Sequence, residues 1–289
     1  MKSLFPSFQT IRFQGRLMSF ERPLIMGILN ITPDSFYEGS RVADVEICRE
    51  RAAGMIALGA NILDVGGHST RPGAASVSTQ EEIDRVVPVI RMLKEAFPDV
   101  IISIDTYRLA VAQAAFMAGA DLFNDIGAGQ MDDGIFEWVA AHKIPYVLTH
   151  SVGKFAEVHE VPNYQQVVED VWSNLALKLQ ELRQLGAVDI CIDPGFGFSK
   201  SLEHNYELLA HLENFTNLGA PVLVGLSRKT MIYKELGITA AQSLNGTSVL
   251  HTIALQKGAS ILRVHDVAEA AEVIHLVEKI KQYGISNLV

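Results

Sequence analysis

A single carboxylate, Asp193, stands where an apolar run gives way to a turn. It follows Ile190–Ile192 and precedes a Pro-Gly pair, whose residues end strands and permit tight turns. A carboxylate held there, beside Phe196 and Phe198, can accept two parallel N–H donors from a flat ring wedged among aromatic side chains. The alternative is that Asp193 only closes the turn, because Asp-Pro-Gly is common turn chemistry. The other apolar runs of the chain favour the binding role.

Seven further apolar runs end in the same way, in hydrogen-bonding or charged residues. The residues at or soon after these ends include Asn30, Asp64, Arg71, Asp105, Asn124, Asp125, Thr149, His150, Ser227, Arg228, Lys229, Arg263 and His265. One or two such residues would serve as turn formers or caps. Eight converging ends are better explained by a polar ligand pocket, because buried polar groups cost free energy unless they are paired.

These side chains divide by charge. The cationic donors, which suit phosphate oxygens, are Arg71, Lys229, Arg263 and His265. The acceptors and amide that suit the N–H-rich edge of a heterocycle are Asp105, Asn124 and Asp193. Asn30 adds a neutral carbonyl oxygen, which suits a Mg²⁺ ion that keeps most of its water. The sequence has no nucleophile elbow, His-Glu-x-x-His motif or cysteine cluster, so loss of pyrophosphate fits this set better than covalent catalysis.

Eight apolar strands separated by helical segments must position these residues. The predicted strands are Leu24–Leu29, Ile62–Val65, Val100–Ile104, Leu122–Phe123, Tyr146–Leu148, Ile190–Ile192, Val222–Val224 and Ile261–Val264. They are apolar without alternation, as strands covered on both faces are. Eight strand–helix units in about 250 residues predict an α/β fold of the (β/α)8 TIM-barrel type. An open doubly wound sheet is the alternative, but the glycine-rich phosphate turn that usually follows its first strand is absent from the sequence.

A single domain spanning residues 1–289 is predicted. Gln9–Phe13 and Arg16–Phe20 flank a Gln-Gly pair and indicate a short hairpin within residues 9–20, and the barrel occupies residues 24–283. The last helix is predicted from an apolar stripe at helical spacing. Its members are Val267, Ala270, Ala271, Ile274, Val277 and Ile280.

The composition limits the classes of partner that the protein is expected to bind. The chain has 289 residues, 48% of them hydrophobic, with 24 basic and 33 acidic residues and a net charge of −9. No basic stripe favours nucleic acid, no apolar run is long enough to span a bilayer, and Met1–Thr10 does not look like a signal peptide. Cys48 and Cys191 form no metal or redox motif, so buried thiols in a reducing compartment are expected. We therefore expect a soluble cytoplasmic protein that binds small molecules and neither nucleic acid nor membrane.

Five stretches of the chain match the dihydropteroate synthase family in order. They are Met26–Phe36, Asp64–Gly73, Asp193–Phe198 followed by His204-Asn205, Gly225–Lys229 and Arg263–Asp266. Each is long and unusual in composition, and the chain resembles this family roughly from Leu24 to Ala271. The resemblance implies a (β/α)8 barrel, usually a homodimer. It would condense 6-hydroxymethyl-7,8-dihydropterin pyrophosphate with p-aminobenzoate, giving 7,8-dihydropteroate and pyrophosphate in folate biosynthesis.

The resemblance also implies roles for individual residues. The pterin would be held by Asp105, Asn124, Asp193 and Lys229. The pyrophosphate would be held by Asn30, Thr70, Arg71, Arg263 and His265, with Mg²⁺ on Asn30. The p-aminobenzoate pocket would be shaped by Phe36, Thr70, Pro72, Phe198 and Ser227. The catalytic set would be Asp105, Lys229, Arg263 and His265, and two loops, 31–41 and 66–76, would close over the site.

Three positions depart from the family pattern. Thr149-His150-Ser151 stands where Met-His-Met is frequent, His68 stands where Glu or Gln is frequent, and Glu38-Gly39-Ser40 replaces a usual Asp-Gly-Gly. These departures bear on the wall of the pterin pocket and on the two loops. They leave unchanged the residues assigned to charge and to the edge of the heterocycle.

Several nearby polar residues are expected to have structural roles. His150 would pack at its strand end, and Asp64 and Asp125 would orient loops by hydrogen bonds. His204 and Asn205 would cap the helix that they begin.

Two other functions are compatible with a pterin-binding barrel. One is methyl transfer from a folate to a corrinoid, but relatives with that activity lack the Thr-Pro-Asp-Ser-Phe and Ser-Thr-Arg-Pro-Gly loops found here. The other is a non-catalytic pterin-binding homologue, which should lose its pyrophosphate residues first. Asn30, Arg71, Arg263 and His265 are all present, so the condensing enzyme is favoured.

Overall fold

A computed structural model describes residues 10–13, 15–31, 41–68, 77–158 and 160–285. The strands are β1 (Thr10–Phe13), β2 (Arg16–Ser19), β3 (Leu24–Asn30), β4 (Ile62–Gly66), β5 (Ile101–Asp105), β6 (Leu122–Asp125), β7 (Tyr146–Thr149), β8 (Ile190–Asp193), β9 (Leu223–Val224) and β10 (Ile261–Val264). The helices are α1 (Arg41–Ala57), α2 (Thr79–Ala96), α3 (Leu109–Ala118), α4 (Ile135–His142), α5 (Val167–Leu185), α6 (Leu202–Ala210), α7 (Glu213–Thr216), α8 (Thr230–Tyr233), α9 (Leu244–Gln256) and α10 (Val267–Ile285). Every predicted strand is present.

The strands from β3 to β10 form one parallel sheet that curls back on itself. They lie in the order β8-β7-β6-β5-β4-β3-β10-β9. Ile192 of β8 also pairs in parallel with Val222, and its N–H donates to Pro221 O at 2.9 Å. Because this bridge joins the two ends of the ladder, the sheet has the form of the predicted (β/α)8 barrel.

Several strands run one residue further than predicted, and the added residues are polar. Asn30, Asp105, Thr149 and Asp193 are the last residues of β3, β5, β7 and β8. In the parallel register Asp105 pairs with Asn124, and Thr149 pairs with Asp193. These side chains therefore stand on the sheet rather than on loops, and the ladder fixes their positions relative to one another.

The inner face of the barrel changes from apolar to polar along each strand. Near the beginnings of the strands, the inner residues form an apolar cluster: Met26, Ile62, Ile101, Leu122, Val147, Cys191, Leu223 and Ile261. Two residues further along, on the same face because side chains alternate, six of these strands carry Asp64, Ser103, Asn124, Thr149, Asp193 and Arg263. Outward residues such as Leu63 and Leu148 pack in the core that the helices cover. The barrel thus has an apolar base and a polar mouth.

The N-terminal hairpin closes the apolar base. β1 and β2 pair antiparallel, with Thr10 opposite Ser19, as the predicted hairpin requires. Ile11 and Phe13 are buried in the inner apolar cluster, whereas Leu17 on the second strand is 67% exposed. The hairpin therefore covers the end of the barrel opposite the polar mouth.

The apolar stripe predicted for the last helix is correct except at its end. Val267, Ala270, Ile274 and Val277 are buried, but Ile280 is 65% exposed. Residues 279–284 are all exposed because this long helix extends past the barrel wall, and sequence periodicity does not show where the covering surface ends. No helix within the described ranges is both long and apolar enough to cross a membrane.

Replacing Phe13 with Ala should lower the free energy of unfolding by about 3–4 kcal/mol, because it leaves a cavity in the base of the barrel. Urea denaturation measures the change. Leu17→Ala on the same hairpin is the matched control and should stay within about 0.5 kcal/mol of the parent protein. Equal effects of the two substitutions would show that the hairpin does not seal the base.

Candidate active site

Arg263 connects two carboxylates on the floor of the polar mouth. Its Nε donates to Asp64 Oδ2 at 2.6 Å, and its Nη2 donates to Asp105 Oδ2. Asn124 Nδ2 donates to the same oxygen of Asp64 at 3.1 Å. The four residues come from β10, β4, β5 and β6, so four of the eight barrel strands together assemble the floor.

The two aspartates expected to orient loops have different roles. Asp125 accepts the N–H groups of Gly127 at 2.6 Å and Gly129 at 2.7 Å, as a loop-orienting residue should. For Asp64 the expectation is wrong, because an inward position within β4 directs its carboxylate into the barrel. Asp64 is fully buried, and its Oδ1 has no hydrogen-bond partner among the described residues. Since a buried acceptor without a partner is costly, this oxygen is suited to receive a ligand N–H.

The charges on the floor shift the pKa of both partners. Burial raises the pKa of Asp105 to about 7, although the positive charge of Arg263 opposes the shift and the negative charge of Asp64 adds to it. Burial disfavours the charged guanidinium too, but Asp64 and Asp105 together hold the pKa of Arg263 above its ordinary value. In the free protein, Asp105 therefore titrates near neutral pH while Arg263 stays charged.

The turn after β8 brings Asp193 and Lys229 into the mouth. Asp193 Oδ1 accepts the N–H of Gly195 at 2.7 Å, so it does close the turn, and its other lone pairs remain for a ligand. Lys229 Nζ donates to Phe196 O and lies 4.7 Å from the centroid of the Phe198 ring. Burial lowers the pKa of Lys229 to about 8, with Asp193 opposing the shift.

Lys200, which no sequence motif marks, holds the same turn in place. Its Nζ donates to Gly195 O at 3.0 Å and to Phe198 O at 2.9 Å, and it lies 2.9 Å from His150 Nδ1. A Cβ on Gly195 would come within 1.9 Å of His150 O, so only glycine lets the two strand ends approach this closely. Burial lowers the pKa of Lys200 to about 7. His150 packs at its strand end, as expected.

His204 and Asn205 have different structural roles at the start of α6. His204 Nδ1 accepts the backbone N–H of Ser201 at 3.3 Å, while the N–H of His204 donates to Ser201 Oγ at 3.1 Å, and this reciprocal pair confirms the capping role of His204. Asn205 accepts the N–H of Gly197 at 2.7 Å and donates to Ser201 O at 2.5 Å. Its capping role is therefore wrong: the side chain reaches back to the β8 turn and steadies the backbone beside Phe196 and Phe198.

His265 meets Ser227 on the other side of the mouth. His265 Nδ1 lies 3.1 Å from Ser227 Oγ, and its backbone N–H donates to the same oxygen at 3.2 Å. Next to them, Arg228 and Asp266 form a two-point ion pair with both N···O distances at 2.8 Å. This pair ties the loop after β9 to the start of α10, which steadies Lys229 relative to His265.

Asn30 faces Asp105 across a glycine. A Cβ on Gly66 would lie 3.3 Å from Asn30 Oδ1 and 3.6 Å from Asp105 Cβ. The absence of a side chain at Gly66 therefore leaves the amide oxygen of Asn30 open to the mouth.

The departures from the family pattern that the structure describes lie on the walls of the mouth. The ring centroid of His68 lies 4.5 Å from that of Phe155, which stacks on Tyr107 at 4.5 Å. Ser151 Oγ donates to Ile126 O at 2.6 Å. Thr149 is buried, and its Oγ1 has no hydrogen-bond partner in the described ranges.

The described members of the predicted site therefore gather at one mouth. They are Asn30, Asp105, Asn124, Asp193, Phe198, Ser227, Lys229, Arg263 and His265. Four predicted site residues lie outside the described residues: Phe36, Thr70, Arg71 and Pro72. The same is true of Glu38-Gly39-Ser40 and of most of both loops, so these assignments stay predictions.

Replacing Arg263 with Ala should lower the free energy of unfolding by about 3–5 kcal/mol at pH 8, because two buried carboxylates lose their counter-charge. A carboxyl whose pKa is higher in the folded than in the unfolded state favours folding at low pH, and this contribution is lost as pH rises through the folded pKa. The pKa of Asp105, already about 7, should rise further in the variant, so the deficit should shrink at pH 5. Urea titrations at the two pH values measure this dependence.

Arg16→Ala is the control, since Arg16 pairs with Asp99 at an exposed site. It should change stability by less than about 1 kcal/mol at either pH. A deficit of Arg263→Ala that is the same at pH 5 and pH 8 would contradict the proposed coupling to Asp105.

Comparisons with known proteins agree with this geometry. The family model described as "Pterin binding enzyme" matches residues 26–265. The dihydropteroate synthase of Streptococcus pyogenes serotype M1 is 44% identical over 270 residues, which cover 92% of this chain and 98% of that protein. The dihydropteroate synthase of Escherichia coli (strain K12) is 40% identical over 267 residues, covering 92% of this chain and 94% of that protein.

A solved structure agrees as well. Xanthomonas albilineans dihydropteroate synthase with 4-aminobenzoic acid is 38% identical, with a TM-score of 0.87, and the match covers 95% of this chain and 99% of that one. The residues on the barrel floor and these similarities lead to the same conclusion: this chain belongs to the dihydropteroate synthase family of pterin-binding enzymes.

Proposed function

We propose that this transferase condenses 6-hydroxymethyl-7,8-dihydropterin pyrophosphate with p-aminobenzoate to give 7,8-dihydropteroate and pyrophosphate. The observation that carries the proposal is that heterocycle acceptors and phosphate-binding cations meet in one barrel mouth. A related structure from Xanthomonas albilineans was solved in complex with 7,8-dihydropteroate, which supports the same product here.

The pterin ring would lie on the floor of the mouth. Asn124 and Asp193 would bind its N–H and carbonyl groups, and Lys229 would approach a ring acceptor. Phe196 O already holds Lys229 over the mouth, so the amine needs little reorganisation when the ring binds.

Arg263 and His265 would bind the pyrophosphate. When the carbon–oxygen bond breaks, its electron pair leaves on the pyrophosphate oxygen, and positive charge spreads from the methylene carbon into the ring. Asp105, as a carboxylate, would stabilise this charge. Because Arg263 donates to Asp105, one guanidinium would link the developing cation to the departing anion.

The amine of p-aminobenzoate would then attack the methylene carbon. The new carbon–nitrogen bond forms as the amine nitrogen gives up a proton to the released pyrophosphate or to water. The p-aminobenzoate pocket would be shaped by Phe36, Thr70, Pro72, Phe198 and Ser227. Phe198 lies beneath Lys229, which would place the aromatic acid next to the pterin. Closure of loops 31–41 and 66–76 would exclude water from the cation.

Asn30 is the proposed protein ligand of a Mg²⁺ ion that binds with the pyrophosphate. The residues that the structure describes contain no group of three or more His, Cys, Asp or Glu suited to a metal. A single amide oxygen fits an ion whose other ligands are water and substrate phosphate, and Gly66 leaves that oxygen open. The ion would supply charge neutralisation for the leaving group.

We also propose that the enzyme is a homodimer of the cytoplasm. Val249 on α9 and Leu276, Ile280 and Tyr283 on α10 expose apolar side chains on two helices that pack together, which supports an interface there. Cys48 and Cys191 are both buried, which fits the thiols expected in a reducing compartment.

Purified protein given dihydropterin pyrophosphate and Mg²⁺ should release pyrophosphate only when p-aminobenzoate is present, with dihydropteroate detected by mass spectrometry. Asp193→Ala should lower kcat/KM by about 10²–10³, the usual cost of losing one preorganised polar group. Asp189→Asn is the control, because Asp189 accepts the N–H of Arg12 at the opposite end of the barrel. Tight pterin binding without either product would instead support the non-catalytic homologue.

Removing the amide of Asn30 should weaken the binding of inorganic pyrophosphate only when Mg²⁺ is present. In Asn30→Ala, the factor by which Mg²⁺ raises the affinity for pyrophosphate should fall by at least about tenfold. Even outer partners of a metal site commonly contribute this much. Isothermal titration with Mg²⁺ or with excess chelator measures the gain without turnover. An equal loss in both conditions would count against the metal assignment.

A further inference from the structure

Thr149 presents a hydroxyl to the interior of the barrel. It is the last residue of β7, where Val147 belongs to the inner apolar cluster and Leu148 to the outer core. Because side chains alternate along a strand, Thr149 faces inward again, one step closer to the mouth. It is 1% exposed, so bulk water does not reach its hydroxyl.

The hydroxyl is unsatisfied, unlike those of the other buried threonines in the described ranges. The other two buried threonines there both donate, Thr106 to Glu82 Oε1 at 2.8 Å and Thr247 to Ser243 O at 2.9 Å. Thr149 Oγ1 has no partner within the same ranges. A buried polar group normally finds a partner, and one that lacks it destabilises the fold. An inward threonine without a partner therefore calls for a reason other than stability.

The neighbours of Thr149 are two of the proposed pterin ligands. Its Cα pairs in parallel register with that of Asp193, and the next residue, His150, donates its N–H to Asp193 O at 2.8 Å. On the other side, Asn124 of β6 pairs with Val147, two residues before Thr149 on the same inner face, and its amide donates to Asp64. The hydroxyl thus belongs to the wall between an aspartate and an asparagine at the mouth.

We propose that Thr149 is a specificity-determining residue whose hydroxyl donates a hydrogen bond to the pterin ring, beside the edge bound by Asp193. This inference rests on the proposed function of the mouth. Asp193, as a carboxylate, can only accept, so it selects ring N–H groups, whereas a hydroxyl can donate to an adjacent ring nitrogen or carbonyl. Together the two side chains would match a ring edge on which donors and acceptors alternate.

The test removes the hydroxyl while keeping the shape of the side chain. Thr149→Val should bind 6-hydroxymethyl-7,8-dihydropterin about 5- to 30-fold more weakly by isothermal titration, which is the range expected for one lost hydrogen bond. Its affinity for inorganic pyrophosphate should not change. Thr149→Ser, which keeps the hydroxyl, should bind the pterin within about threefold of the parent protein.

The melting temperature of the free protein separates a binding role from a structural one. If the hydroxyl has no partner until the pterin binds, Thr149→Val should melt at the same temperature as the parent protein or higher. The substitution removes a buried unsatisfied group. Thr252→Val is the control: Thr252 donates to Ser248 O at 2.9 Å on α9, so its loss should leave pterin affinity unchanged.

Two results would overturn the inference. One is pterin binding by Thr149→Val that equals the parent protein. The other is a lower melting temperature with equal losses of pterin and pyrophosphate affinity, which would make Thr149 a packing residue. Failure of the parent protein to bind pterin at all would overturn the proposed function as well, so the two failures are distinguishable.

Discussion

The ion pairs of Arg263 with Asp64 and Asp105 are the constraint on which the polar mouth depends. Three charged groups are withdrawn from water here, and only their mutual attraction and hydrogen bonds compensate for the lost hydration. The guanidinium donates to both carboxylates through separate N–H groups, which a lysine could not do with the same fixed geometry. The geometry of the floor, including Asn124, follows from this arrangement.

The charges on the floor are unequal when all of them are ionised. On the floor itself, Asp64 and Asp105 carry two negative charges and Arg263 carries one positive charge, so one negative charge is in excess. A site with this surplus is complementary to a cation that forms within it and costs little reorganisation when the cation appears. Burial is the main cause of the raised pKa of Asp105, and the negative charge of Asp64 adds to it, so the free site can lose the excess charge by taking up a proton.

Much of the fold and of the site could be predicted because parallel strands buried on both faces are apolar throughout. In β5 and β8 the first charged residue marks the strand end, which predicts the positions of Asp105 and Asp193. The role of Asp64 required the inward or outward direction of each side chain, which an apolar run without alternation does not reveal. Lys200 could not be distinguished from a surface lysine, because its burial results from the close approach of Gly195 to His150, two segments distant in sequence.

The inner face of the barrel is divided into an apolar base and a polar mouth. The residues that stabilise the fold are therefore different from those proposed to bind substrate. Among the described residues, the mouth holds buried oxygens without partners and a crowded set of charges, all unfavourable for folding. The base and its hairpin contribute dense apolar packing. Substitutions that strengthen the base can therefore offset destabilising changes at the mouth without touching a substrate. Residues at the base can therefore change under selection for stability while residues at the mouth change under selection for specificity.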